Sequence, residues 1–204
     1  MAEAAGRDRE AIDAFAAAVK NEPAYVEARL SLADALRRSG RMEESLPHYA
    51  DVIRLSPAVS QAQFGYAMAL VRLARYQEAR DRLADAVKVY PDQPGFAHAL
   101  ARLLAAAPDA RARDGRRAMT LMQDLLKTQR TLETAQTMAM ALAELGQYEE
   151  AVSWQRDAMA AATKAGRTDL TARMTDSLTL YENNRPCRTP WRKDDPVFYP
   201  RPGK

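Results

Sequence analysis

Apolar and small residues recur along the chain every three to four positions, in blocks cut by glycine or proline, which is the pattern of amphipathic helices joined by tight turns. The blocks keep a fixed period of 34 residues. In one set, Leu32, Tyr66 and Leu100 are followed by Ala33, Ala67 and Ala101, and each block ends near Leu36, Leu70 and Leu104. A second set starts after Gly6, Gly40 and Ala74. It continues through Ala11, Ser45 and Ala79, then Phe15, Tyr49 and Leu83, then Ala18, Val52 and Ala86. It closes on Pro23, Pro57 and Pro91, where a residue without an N–H ends a helix at little cost. The spacing predicts alternating first and second helices, with small residues where they cross.

These columns resemble the tetratricopeptide repeat family, whose 34-residue units are helical hairpins closed by proline. The resemblance implies an all-α, right-handed superhelical solenoid of antiparallel helix hairpins. Units 26–59 and 60–93 fit without a gap. Unit 132–165 carries Met138, Ala139, Leu142, Gly146, Tyr148, Ala151 and Ala158 but lacks the closing proline. Unit 94–131 is degenerate: aligning Ala118 with Ala79 needs about five inserted residues, so the turn 108–114 is expected to protrude. Residues 1–25 read as the second helix of a truncated repeat, which suggests a piece of a longer protein. Leu170, Met174, Leu178 and Tyr181 give 166–182 the single apolar stripe of a capping helix. A Pro/Arg/aromatic extended tail fills 183–204.

In such a solenoid the first helices line a concave groove, and a protein or peptide partner is expected there. Periodicity then selects Leu30, Asp34, Arg37 and Arg38, then Phe64, Met68 and Arg72, then His98 and Arg102, then Gln136, Thr137 and Met140. Phe64 and Met68, four apart, either form an apolar socket flanked by Arg72 and Arg102 or pack against the neighbouring hairpin. Relatives that grip chaperone tails use a lysine and asparagine clamp; Leu30, Asp34 and Gly65 here do not supply it. The asparagine ladder of the glycosyltransferase-attached superhelices is replaced by Ser31, Gly65, Ala99 and Thr137.

Charge sharpens the view of the tail. The net charge is +3, yet 183–204 alone holds six basic and two acidic residues, so the body is near neutral and offers no basic stripe for nucleic acid. Five prolines forbid a helix there, while Trp191, Phe198 and Tyr199 are too apolar for a solvating linker; they are expected to dock on the chain's own helices or on a neighbouring subunit. His98 and His48 stand apart without a fitting nucleophile, and no phosphate loop, zinc motif or dinucleotide turn occurs, so no enzyme activity, metal or cofactor is expected. Cys187 is a lone thiol. No run approaches the roughly 18 apolar residues of a membrane span.

The sequence therefore reads as a non-catalytic interaction scaffold. Two alternatives stay open: the C-terminal regulatory or substrate-recruiting domain of a larger enzyme, and a structural subunit of a homo- or hetero-oligomer locked by its tail. Alanine and arginine richness suits a GC-rich bacterial genome. A cytoplasmic location is the default, with the cell envelope allowed if a leader was removed.

Overall fold

The computed structural model describes the backbone of residues 2–200, with side chains from residue 8 onward apart from 168, 169 and 173. Arg201 and Lys204, two of the tail's cations, lie outside that range. The described residues form helices and turns without a strand. The chain divides into two compact units, Met1–Ala86 with Trp191–Lys204, and Val87–Pro190.

Unit 1 holds α1 (Ala2–Asn21), α2 (Val26–Arg38), α3 (Met42–Leu55), α4 (Ser60–Arg72) and most of α5 (Tyr76–Val89), with a short 3-10 turn η2 (Pro196–Phe198). Ile12 of α1 joins Leu32, Ala35 and Leu36 of α2 in one cluster, edged by Phe15 and Val19. Ala33, Tyr49, Val52 and Ala62 make the next, where α2, α3 and α4 meet, with Leu30 and Tyr66 partly buried at its edge. Gly6, aligned in sequence with turn residues, lies inside α1. The four residues Ala2–Ala5 are strong helix formers and extend that helix backward.

Unit 2 holds α6 (Pro94–Ala106), a 3-10 turn η1 (Ala110–Ala112), α7 (Gly115–Leu126), α8 (Leu132–Glu144), α9 (Tyr148–Lys164) and α10 (Thr168–Glu182). Helix α8 packs on both α6 and α7, and α10 packs on α9 through Ala158, Ala162 and Met174. Gln155, only 2% exposed, donates to the Met174 carbonyl at 2.9 Å and ties α10 down.

The first helices end alike because one hydrogen bond recurs: the N–H of the residue five beyond a leucine returns to that leucine's carbonyl. Arg41 bonds Leu36, Arg75 bonds Leu70 and Gln147 bonds Leu142 in this way. The residue before each donor turns left-handed, at Gly40 (φ 83°), Ala74 (φ 59°) and Gly146 (φ 77°), as such helix ends require. In the degenerate repeat the same bond runs from Asp114 to Leu104, ten residues on. The inserted stretch folds back rather than protruding: η1 buries Ala112, and Arg113 Nη1 donates to the Ala107 carbonyl at 2.9 Å. The backbone groups of an inserted loop are satisfied most cheaply by the helix end it springs from.

Ala74 is the alanine in a column of glycines, and a Cβ in the left-handed region is strained. Ala74→Gly is expected to stabilise unit 1 by roughly 0.5–1 kcal/mol, relief of the strain exceeding the added chain entropy. A urea midpoint that falls would show that the turn carries no such strain.

Candidate functional site

In unit 1 the first-helix face is organised by a buried polar network. Arg37 is 5% exposed; its Nε donates to the Tyr49 hydroxyl at 2.9 Å and its Nη2 lies 3.9 Å from Asp34 Oδ1. The Tyr49 hydroxyl in turn donates to Asp34 Oδ1, and Gln61 Nε2 donates to Asp34 Oδ2 at 2.6 Å. Burial, with Asp34 alongside, holds the Tyr49 phenol well above its usual range, so it stays a donor at any physiological pH. This places α2, α3 and α4 in fixed register. Gly65 of α4 lies against the Tyr49 ring, where a Cβ would come within 2.5 Å.

The proline-rich segment lies on this face. Arg37 Nη1 donates to the Val197 carbonyl at 2.7 Å, and Arg38 Nη1 reaches the Pro200 carbonyl at 3.4 Å. Arg38 is also held by Asp8 of α1, Nε to Oδ1 at 2.6 Å. Turn η2 packs against α4, the helix of Phe64 and Met68, and Phe198 is 2% exposed. The Trp191 ring meets Phe198 edge-on, centroids 6.3 Å apart. Residues 193–198 are turned rather than extended as expected, because local acceptors close the chain on itself: Asp195 Oδ1 accepts from the Val197 N–H at 3.0 Å, and the Tyr199 hydroxyl donates to the Lys193 carbonyl at 3.1 Å.

Not every residue that periodicity assigned to the groove presents itself to solvent. Met68 is 0% exposed and Met140 is also buried. Leu30, Phe64 and Gln136 are half-buried, and Arg72 is half-buried with its Nε lacking a hydrogen-bond partner.

In unit 2 the structure joins His98 and Arg102 of α6 to Thr137 of α8. His98 Nε2 lies 2.9 Å from Thr137 Oγ1, and Arg102 Nη1 donates to the same oxygen at 3.4 Å. Thr137 spends its own proton on the Glu133 carbonyl at 2.9 Å, so Nε2 carries the imidazole hydrogen. Arg102 Nε donates to the Pro190 carbonyl. Also in unit 2, Glu144 accepts from Arg188 and, at 3.0 Å, from Arg113 Nε. Cys187 is buried, with its Sγ receiving the Thr189 N–H at 3.4 Å.

Burial, then the Arg102 charge, pushes His98 below its usual 6.5, against a smaller opposing pull from the Glu133 carbonyl. A histidine with a depressed folded value contributes stability that is complete above the unfolded value and is lost as pH falls through the folded one. The stability of unit 2 is therefore expected to drop as pH goes down from 6.5, and His98→Gln is expected to flatten that slope. Urea titrations followed by Trp154 fluorescence in a Trp191→Phe background would check it. An unchanged slope in His98→Gln would assign the proton elsewhere.

Three features escaped the sequence reading. The Asp34, Arg37 and Tyr49 network was signalled only by a hydroxyl standing in a column that holds Phe15, Leu83 and Met122 in other repeats, with Gln155 in the last. The close approach at Gly65 was signalled by glycine inside a helix. The ion triad of Glu144, Arg113 and Arg188 had no sequence signal, since its members sit on three separate segments.

Models of the tetratricopeptide repeat family match residues 2–60, 36–103 and 131–165. Among solved structures, a tetratricopeptide repeat protein from Parabacteroides merdae ATCC 43184 is similar at 15% identity and a TM-score of 0.73, over 88% of this chain and 68% of that one. YrrB, described as a TPR protein with an unusual peptide-binding site, is similar at 18% identity and a TM-score of 0.58, over 84% of this chain and 94% of that one. No curated protein matches the chain. With hairpins of the α-solenoid class, one turn geometry repeated along the chain and three family matches, the chain belongs to the tetratricopeptide repeat family, whose repeats build protein-interaction scaffolds.

Proposed function

We propose that the chain is a non-catalytic scaffold whose first-helix faces bind a segment of a protein or peptide partner. One observation carries this reading. In each unit a first helix donates from arginine to main-chain carbonyls of a non-helical, proline-rich segment: Arg37 and Arg38 of α2 in unit 1, Arg102 of α6 in unit 2. Guanidinium groups aimed at backbone carbonyls read a chain whose carbonyls are not spent within a helix, whatever its side chains, and a neighbouring apolar face supplies selectivity. Asp34, Phe64 and Arg72 in unit 1, and His98 and Gln136 in unit 2, complete the proposed surfaces. The similarity to a repeat protein with a peptide-binding site supports the same reading.

Selection of a phage-displayed peptide library on the full chain, beside an Arg38→Ala, Arg102→Ala double variant, tests it. Peptides enriched on the wild type are expected to lose about tenfold or more on the variant, since charge-assisted hydrogen bonds contribute roughly 1.5–3 kcal/mol each. Peptides held equally by both proteins would move binding away from the first helices.

A further inference from the structure

We infer that residues 191–200 are a built-in competitor: they fill, within the same chain, the face of unit 1 that receives the partner, and the partner must displace them. This rests on the peptide-binding reading above and adds the occupant, its chemistry and the consequence.

The segment makes the contacts of a bound peptide. It offers main-chain carbonyls to Arg37 and Arg38, at Val197 and Pro200, and seats one aromatic side chain, Phe198, against the helices. Its conformation is set in advance. Pro196 and Pro200 fix two backbone angles, Asp195 caps η2, and Trp191 braces Phe198 from the side, so little entropy is lost on seating. The helices beneath are packed on one another through Ala33, Tyr49, Val52 and Ala62, and the Arg37 side chain is held from below by Tyr49. The arginine therefore stays poised to donate to the carbonyl of a second segment when the resident one leaves.

Two consequences follow from the chemistry. The partner segment that fits this face is flanked by proline, takes a tight turn as η2 does, and carries an aromatic residue next to the carbonyl that meets Arg37. Because the resident segment belongs to the same chain, its competition does not fall on dilution, and a partner in solution must outcompete it. Apparent affinity is then set by how firmly the segment is seated as much as by the partner.

The test uses full-length chains and one defined probe, a fluorescein-labelled synthetic peptide spanning residues 191–204, read by anisotropy. Three chains are compared: wild type, Phe198→Ala, which removes the buried anchor, and Asp195→Ala, which removes only the cap of η2 and leaves the helices untouched. Both variants are expected to bind the probe at least tenfold more tightly than wild type, while a probe with alanine in place of its phenylalanine binds none of them. Equal affinity for all three chains would overturn the competition. So would no binding by Asp195→Ala while its helical circular dichroism matches wild type. A wild-type dimer that Phe198→Ala turns into monomer would overturn docking within one chain and assign the segment to exchange between copies. Library peptides that bind wild type and Asp195→Ala alike, yet depend on Arg38, would sink the competitor and leave the peptide-binding reading standing.

Discussion

Replacing Arg37 by methionine is expected to lower the stability of unit 1 by about 3 kcal/mol, because breaking a buried charged pair from one side costs roughly 3–5 kcal/mol and part of the loss is recovered here. The side chain is nearly sealed from water and serves three acceptors at once: the Tyr49 hydroxyl, the Asp34 carboxylate and the Val197 carbonyl. Methionine fills similar volume but donates nothing, so the Val197 carbonyl loses its arginine. Asp34, in contrast, keeps the Tyr49 hydroxyl and Gln61, which is why the loss falls at the lower end of that range. The change also strips the face of its main hydrogen-bond donor to the segment's carbonyls, so the segment should loosen. Urea unfolding of the Trp154→Phe protein, followed through Trp191, reads both effects, a lower midpoint and an altered native fluorescence. In a cycle with Asp34→Asn, the second substitution should cost less in the Arg37→Met background than in wild type. Simple additivity of the two would mean that the pair does not act as a network.

The arginine illustrates what a single sequence discloses and what it withholds. Helix positions were legible because the 34-residue period repeats the same small residues at the same crossing: Ala33, Ala67, Ala101 and Ala139 are all buried, as are Ser45, Ala79, Ala118 and Ala151. Periodicity could not say which of the remaining positions face solvent. A first helix in a stack touches its own second helix and the hairpins on either side, so a residue off one packed stripe can still lie on another. Met68 and Met140 are of that kind. The prolines announced that the closing segment is not helical, but nothing local sets its register. Val197 meets Arg37 from 160 residues away, and only the packed helices decide which carbonyl faces which guanidinium.

The same limit applied to the turn after α6. Counting inserted residues gave its length correctly, and the length alone suggested a projecting loop. The structure shows instead that the donor displaced by the insertion, Asp114, finds the carbonyl its counterparts use, with η1 taking up the slack. Tyr49 in a core column is the residue that carries most of the hidden information. Its ring needs room and its hydroxyl needs partners, and the glycine of the adjoining first helix together with Asp34 and Arg37 supplies both.

That pairing yields the other large effect. Gly65→Ala would ordinarily stabilise a helix by about 1 kcal/mol. Here the new methyl group would fall 2.5 to 2.7 Å from three atoms at the far end of the Tyr49 side chain. A flexible side-chain tip would swing aside, but this one is fully buried and its hydroxyl bonds Asp34 and Arg37, so moving it loosens the network as well. Overpacking of this kind costs roughly 1–3 kcal/mol and the broken hydrogen bonds add about 1–3 kcal/mol, which outweighs the helical gain and leaves a net loss of about 2–3 kcal/mol. Gly95→Ala is the matched control: its Cβ would meet nothing within 4 Å, so the substitution should be neutral or mildly stabilising. The sharper test reverses the sign. In a Tyr49→Leu background the ring is gone, and Gly65→Ala should become harmless or favourable, where in wild type it is damaging. If Gly65→Ala costs the same in both backgrounds, the glycine is not there to admit the tyrosine, and the register of α3 against α4 has some other origin.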